Sequence, residues 1–294
     1  MAGNLKEVRI RISSVMSTMQ ITKAMKMVSA AKLRRATERI THIRPYSDRL
    51  QDVMVDIVKS LQGEMSISYA RQRAVNKVLI VIITSDKGLC GGFNSNVIKA
   101  TRNLLAEEYA GLAVKGGVDL LTIGKKGLDF FKNAGLYINK EFLGLFQHLE
   151  MESTSKAAEY IMNAYASGNY DKVLVVYGKF KNAATQLTTV EQYLPVLVPE
   201  REEGTRNLDM IFDPGKEEIL DHLVPKILKT QFHRFLLDSN ASEHGARMTA
   251  MDKATENAGE LLRDLKISYN RARQAAITTE LTEIVSGAAA LSEG

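Results

Sequence analysis

The sequence predicts an α/β fold: a long antiparallel coiled coil of the N- and C-terminal helices plus a Rossmann-like α/β domain with a mostly parallel sheet. Three observations predict it. The stretch before Pro45 has no proline and, after Gly3, no glycine, and its apolar residues step by three and four. The middle alternates short β-branched runs with helical stretches. From Lys216 to the end only Pro225 interrupts a second helical pattern.

In the first helix Leu5, Val8, Ile12, Val15 and Met19 form a heptad seam. Around Ala24–Ala36 the seam thins to small residues flanked by Lys and Arg, and it resumes at Leu50, Val53, Met54, Ile57 and Leu61. Pro45 is positioned to break or kink it, so residues 3–61 read as one or two helices, up to about 90 Å long. Lys77–Thr84 (KVLIVIIT) is a strand buried on both faces. Asn94–Ala110 is a helix, Val118–Ile123 a strand, Lys125–Asn133 a short helix and Leu136–Phe142 a third strand. Ser153–Ser167 is a helix with Ser153 as N-cap, but Lys156 stands where a capping-box acid would be. Lys172–Tyr177 and Ala184–Val196 are strands, the last an antiparallel edge.

The acidic stretch Pro199–Asp213 is a loop with a possible short strand at Leu208–Phe212. Asp213-Pro214-Gly215 then starts a helix running to about residue 286, about 110 Å long. Its seam recurs at Met251, Ala258, Leu265 and Ala272, with a second row at Ala254, Leu261 and Ala275. Unpaired, both terminal helices would expose a long apolar stripe, so they pair with each other. The expected organisation is 1–61 N-terminal coiled-coil helix, 75–213 globular α/β domain and 214–294 C-terminal coiled-coil helix.

Composition excludes several classes. With 45% apolar and 25% charged residues the chain is neither disordered nor collagen-like, and no apolar run reaches the roughly 20 residues of a membrane span. Met1–Glu7 lacks the apolar core of a signal peptide. The single cysteine, Cys90, excludes an internal disulfide and points to a reducing compartment. Charge is uneven: the first fifty residues hold eleven basic and three acidic side chains, whereas Glu200–Asp221 holds eight acidic and three basic. Such asymmetry implies a charged partner surface without naming it.

No catalytic constellation emerges. The run Ser85–Asn94 (SDKGLCGGFN) lies between a strand and a helix, where phosphate loops sit, yet it matches neither GxGxxG nor a Walker A ending, and Gly124-Lys125-Lys126-Gly127 does no better. A turn or partner-contact loop is the plainer reading. Cys90 has no placed histidine base. His42, His148, His222, His233 and His244 lack metal-ligand spacing. The basic helix (Lys23, Lys26, Lys32, Arg34, Arg35, Arg39) is open to three readings: a solvated coiled-coil face, a nucleic-acid surface or a contact for a protein with acidic loops. The tail Arg271–Ala290 ends slim and weakly apolar, which suits either a helix running alone inside a sleeve of another protein or a frayed terminus.

Four stretches together resemble the gamma-subunit family of F-type ATP synthases. They are Ile21–Lys32 (ITKAMKMVSAAK), Ser85–Gly92 (SDKGLCGG), Ser242–Met248 (SEHGARM) and Tyr269–Val285 (YNRARQAAITTELTEIV). The resemblance implies a rotor shaft with no catalytic site and no cofactor of its own. Its terminal helices would turn inside a ring of alpha and beta subunits, present in single copy. Its α/β domain would meet epsilon and the membrane c-ring on the cytoplasmic face of the inner membrane. It further implies that Arg247, Arg273 and Gln274 meet loops of beta, with Thr278 and Glu283 in the same upper segment. Met25, with Lys23 and Lys26, would face the acidic lever of beta, and the loop carrying Lys87 and Cys90 would approach that lever from the globular side. The cysteine-pair regulation of plastid members is not implied, because Pro195–Leu208 is short and cysteine-free. The rival reading is a coiled-coil nucleic-acid-binding or scaffold protein.

Overall fold

The computed structural model describes residues 2–60, 69–196 and 216–292. In chain order the elements are α1 (Ala2–Ser60), β1 (Val78–Ile83), α2 (Phe93–Glu107), α3 (Ala110–Val114), β2 (Val118–Ile123), α4 (Lys125–Phe131), β3 (Tyr137–Asn139), α5 (Met151–Ala166), β4 (Lys172–Phe180), β5 (Gln186–Leu194) and α6 (Lys216–Ser292). The chain forms two compact units, residues 1–29 with 248–294 and residues 30–247, and α1 and α6 contribute to both.

The larger unit is organised by a five-stranded sheet of order β3-β2-β1-β4-β5. β1 pairs in parallel with β2 and β4, β2 pairs in parallel with β3, and β5 runs antiparallel to β4 at the edge. β1 is Val, Leu and Ile throughout, as a central strand covered on both faces requires, and all six residues are buried. Val78, Ile80 and Ile82 pack with Val97 and Leu104 of α2 and Phe131 of α4. Right-handed crossovers place α2–α4 on that face and α5 on the other. α6 adds its own cover: Phe235 stacks against Tyr177 of β4, Phe232 against Tyr193 of β5, and the Tyr193 hydroxyl donates to the Leu228 carbonyl at 3.0 Å. From Val224 to Arg247 almost every α6 side chain is buried or half-buried. The same stretch pairs antiparallel with α1 through Arg44–Asp238 at 2.7 Å and Arg234–Asp48 at 2.6 Å.

In the smaller unit α1 and α6 again pair antiparallel, through Arg9–Tyr269, Thr22–Thr255 and Lys26–Asp252. The α1 seam is as the sequence predicts: Leu5, Val8, Ile12, Val15 and Met19 are each half-buried among exposed neighbours. On α6 the row Met251, Ala258, Leu265 and Ala272 is covered as expected. Its companion row is a correction. Thr255, Leu262, Tyr269 and Ala276 face inward; of the expected Ala254, Leu261 and Ala275, Ala254 is half-buried, whereas Leu261 and Ala275 are exposed. Apolarity alone favoured the wrong row, because hydroxyl groups serve the true one: Thr255 meets the Thr22 hydroxyl at 2.8 Å, and the Tyr269 hydroxyl accepts from Arg9 at 2.9 Å.

Other boundaries differ for local reasons. α1 passes through Pro45 unbroken; Pro45 and Thr41 are exposed, so the Thr41 carbonyl that loses its helical donor can turn to water. The helix expected over Asn94–Ala110 ends at Glu107 and restarts as α3, which lets Tyr109 turn into the core. α5 begins at Met151 with Glu150 as N-cap, not Ser153; the Glu150 carbonyl accepts from the Thr154 N–H, so Ser153 lies inside the first turn. The third strand is only Tyr137–Asn139. The expected strand at Leu208–Phe212 and the start at Asp213-Pro214-Gly215 lie outside the described residues.

Gly124 connects β2 to α4 at φ +95°, and an added Cβ would stand 1.9 Å from the Thr84 carbonyl oxygen. Gly124→Ala should therefore cost roughly 2–4 kcal/mol of stability, read as a lowered urea midpoint of the full chain; an unchanged midpoint would refute this packing.

Candidate functional site

The most elaborate polar arrangement in the larger unit joins the glycine-rich loop after β1 to α6. Ser85 opens the loop: its N–H donates to Asn94 Oδ1 at 2.9 Å, and its hydroxyl donates to the Lys87 carbonyl at 2.6 Å. Asn94 Nδ2 returns to Ser85 Oγ at 2.8 Å. Cys90 is buried against Phe93 and Ala246 of α6. Arg247 closes the arrangement from α6. Its Nη2 donates to the Lys87 and Gly88 carbonyls at 3.0 and 3.3 Å, and its Nη1 donates to Glu243 Oε1 at 2.6 Å. Both charged residues are under 10% exposed. Leu89 stands at the loop's apex, 65% exposed, with φ +63°, a conformation costly for a leucine. An open groove of about 760 Å³ lies beside it, lined by Leu89, Ile98, Phe130, Lys99, Arg102 and Lys126 among others.

At the start of α4 the backbone donors are already engaged. The Lys125 N–H donates to Asp86 Oδ1 at 3.1 Å, the Lys126 N–H to the Ser85 carbonyl at 3.1 Å and the Gly127 N–H to Thr84 Oγ1 at 2.8 Å. In doubly wound sheets ligands enter at the carboxyl ends of the strands, beside the switch point. Here α6 reaches that end: Arg247 binds the loop after β1, and Gly245 lies against the turn after β4, where a Cβ would come within 3.2 Å of the Ala183 carbonyl. The loop reads as structure that presents a surface.

Burial shapes the titration of this region. It pushes the Glu243 carboxyl up, opposed by Arg247. It pushes His244 down to about 4, helped by Arg247 and Lys32, and His233 down to about 4, helped by Arg39. His233 Nδ1 meets the Thr154 hydroxyl at 2.9 Å. Asp238 is raised by burial despite Arg44 and Arg234.

The residues singled out from sequence fall into three places. Lys87, Cys90 and Arg247 meet at the loop; the Lys87 side chain is exposed, whereas Cys90 and Arg247 are buried within the chain. Lys23, Met25 and Lys26 lie along α1, Lys23 exposed and Lys26 paired with Asp252. Arg273, Gln274, Thr278 and Glu283 are exposed on α6, and the Thr278 hydroxyl donates to the Gln274 carbonyl at 2.9 Å. Sequence reasoning missed Glu243, Asp238 and Asp252. Glu243 and Asp238 carried a local signal, a spacing of four from Arg247 and from Arg234; Asp252, which pairs with Lys26 of α1, carried none.

The ATP synthase family model matches residues 4–291. The chain is 53% identical to the ATP synthase gamma chain of Cytophaga hutchinsonii over 291 residues, spanning 98% of this chain and 99% of that one. The chain belongs to the ATP synthase gamma-chain family. The gamma chains of Flavobacterium johnsoniae and Chlorobaculum parvum are 50% and 46% identical, each over 98% of this chain and 99% of theirs. Among solved structures, the central stalk and c-ring of the Tetrahymena thermophila mitochondrial ATP synthase contains a chain with TM-score 0.57 and 25% identity, covering 80% of this chain and 99% of that one. A chain of the Euglena gracilis mitochondrial enzyme has TM-score 0.65 at 18% identity, covering 99% and 95%, a likeness of fold. The chain is thus a non-catalytic central-stalk subunit, part of the machinery that couples ion transport to ATP synthesis. The nucleic-acid or scaffold reading finds no support.

The two buried histidines set a pH dependence. A histidine whose folded-state pKa lies near 4, against about 6.5 unfolded, takes its proton first in the unfolded chain. Its contribution is intact above the unfolded value and is lost as pH falls from there toward 4, by about 1–3 kcal/mol per residue. Asp238 and Glu243, raised by burial, act in the opposite direction. The double variant His233→Gln, His244→Gln should therefore remove stability loss between pH 6.5 and 4 relative to the parent; urea midpoints across that range check it.

Proposed function

We propose that this chain is the rotating shaft of its ATP synthase, in single copy, held by alpha and beta subunits at the coiled coil and by epsilon and the c-ring at the α/β domain. One observation carries the reading. On α6 the covered seam ends at Thr279, and residues 280–288 remain helical with every side chain exposed, Leu281, Ile284 and Val285 at 57–67%. A helical stretch with exposed apolar side chains and no cover among the described residues needs a sleeve from outside. Of the two readings of this tail, persistence of the helix favours the sleeve over fraying.

Within this proposal Arg273, Gln274, Thr278 and Glu283 contact loops of beta. Lys23, Met25 and Lys26 face its acidic lever, and the loop of Lys87 and Cys90 approaches that lever from the α/β domain. Exposed ion pairs are each worth only about 0–1 kcal/mol, so a basic shaft against acidic levers is guided without sticking. Arg247 and Cys90, being buried, act through the loop they hold rather than by direct touch. No helix among the described residues is long and apolar enough to cross a membrane. Association with the membrane, on its cytoplasmic face, therefore runs through the partner subunits.

Complexes reconstituted without this chain should lose proton-coupled ATP synthesis, and its return on adding the chain is the direct test. The double variant Arg273→Ala, Gln274→Ala removes two exposed side chains, so the chain's stability should change by less than about 0.5 kcal/mol. ATP-driven proton transport by the assembled complex should fall nonetheless. Normal transport would remove these residues from the contact with beta.

A further inference from the structure

We propose that Glu243 is the positioning residue of the glycine-rich loop: it orients Arg247 so that the guanidinium holds the Lys87 and Gly88 carbonyls and keeps Leu89 at the apex. The geometry runs in one line. Glu243 Oε1 lies 2.6 Å from Arg247 Nη1, and the other guanidinium nitrogen donates to the two loop carbonyls. Glu243 and Arg247 sit four apart on α6, so the helix fixes their spacing. Both are buried, where an unpaired charge is costly, and each therefore holds the other in place. The restraint is needed at this position. Leu89 occupies a left-handed backbone conformation, which persists only when its surroundings over-determine it.

Released from Arg247, the loop still has the Ser85–Asn94 bonds at its base, the Ser85 hydroxyl on the Lys87 carbonyl at 2.6 Å and the packing of Cys90 on Phe93 and Ala246. None of these restrains Gly88 or Leu89 directly. Loss of Glu243 therefore frees the apex while leaving the sheet intact. The consequence for coupling rests on the proposed contact of this loop with the beta subunit; the positioning itself does not.

Cys90, the chain's only cysteine and buried in the same loop, supplies the readout. Alkylation of Cys90 by N-ethylmaleimide, followed by mass spectrometry in the assembled complex and in the full chain, reports how often the loop opens. Glu243→Met, which removes the acceptor at similar volume, should raise the rate about tenfold or more. Glu243→Gln, which keeps an acceptor oxygen, should fall between Met and the parent. The rise should be independent of low urea concentrations, as a local opening is, whereas Phe232→Leu in the core should raise labelling only through urea-dependent unfolding. Unchanged labelling in Glu243→Met, or a rise that follows global stability alone, overturns the positioning role. Faster labelling with normal proton transport per ATP hydrolysed upholds the positioning and removes the loop from the coupling contacts.

Discussion

From Val224 to Arg247 α6 is buried or half-buried on nearly every side, and covering that stretch is the constraint that organises the larger unit. β4 and β5 cover it through Tyr177 and Tyr193, α5 through the contact of Thr154 with His233, and α1 through Arg44 and Asp48. Gly178 exists for the same reason: a Cβ there would stand 2.6 Å from the Phe93 ring and 3.2 Å from Ser242. The sheet cannot be assembled properly without α6, and α6 cannot be left in water. An interdependence of that kind gives the unit cooperative stability even though one of its helices enters from the far end of the sequence.

Packing of this density leaves polar groups few places to go. Asp238 is fully buried and receives Arg44 on one oxygen, while its other oxygen lies 3.9 Å from Arg234. Buried pairs of this sort contribute little net stability compared with an apolar replacement, but removing one member strands the other charge at a cost of several kcal/mol. Arg44 also donates to the Phe180 carbonyl at 2.7 Å, so one guanidinium ties α1, α6 and the end of β4. Specific charges at Arg44–Asp238 and Arg234–Asp48 also fix which turn of α1 faces which turn of α6. A seam of small residues such as Ser29, Ala36 and Ser47 would tolerate several registers on its own.

Much of this was legible from residues alone. Continuous β-branched runs placed β1, β2 and β4 within a residue or so at their starts, because a strand covered on both faces has no polar alternation to confuse it. The α1 seam was legible because large aliphatic side chains occupy it. The second row of α6 was not, because Thr255 and Tyr269 look like surface residues until their hydroxyl partners on α1 are known. Pro45 looked like a break because sequence does not say that the carbonyl it orphans faces water. Of the site, the glycine-rich loop and Arg247 were marked by resemblance, but the bond between them spans 160 positions, and no local pattern encodes it.

A stalk subunit must transmit force, and its polar chemistry is arranged accordingly. In an enzyme on a doubly wound sheet, the amide groups at the strand ends would be left open for substrate. Here Asp86, Ser85 and Thr84 take up the amides at the start of α4, and Arg247 occupies carbonyls of the loop after β1. Amides satisfied in this way hold the start of α4 in one shape against the loop after β1. Leu89, strained and exposed, is the one apolar side chain at the loop's apex, and strain retained at a surface is rarely idle. The same economy holds along the coiled coil. Seam residues of α6 are at least half-covered up to Thr279, and from there to residue 288 the side chains, apolar ones included, are exposed.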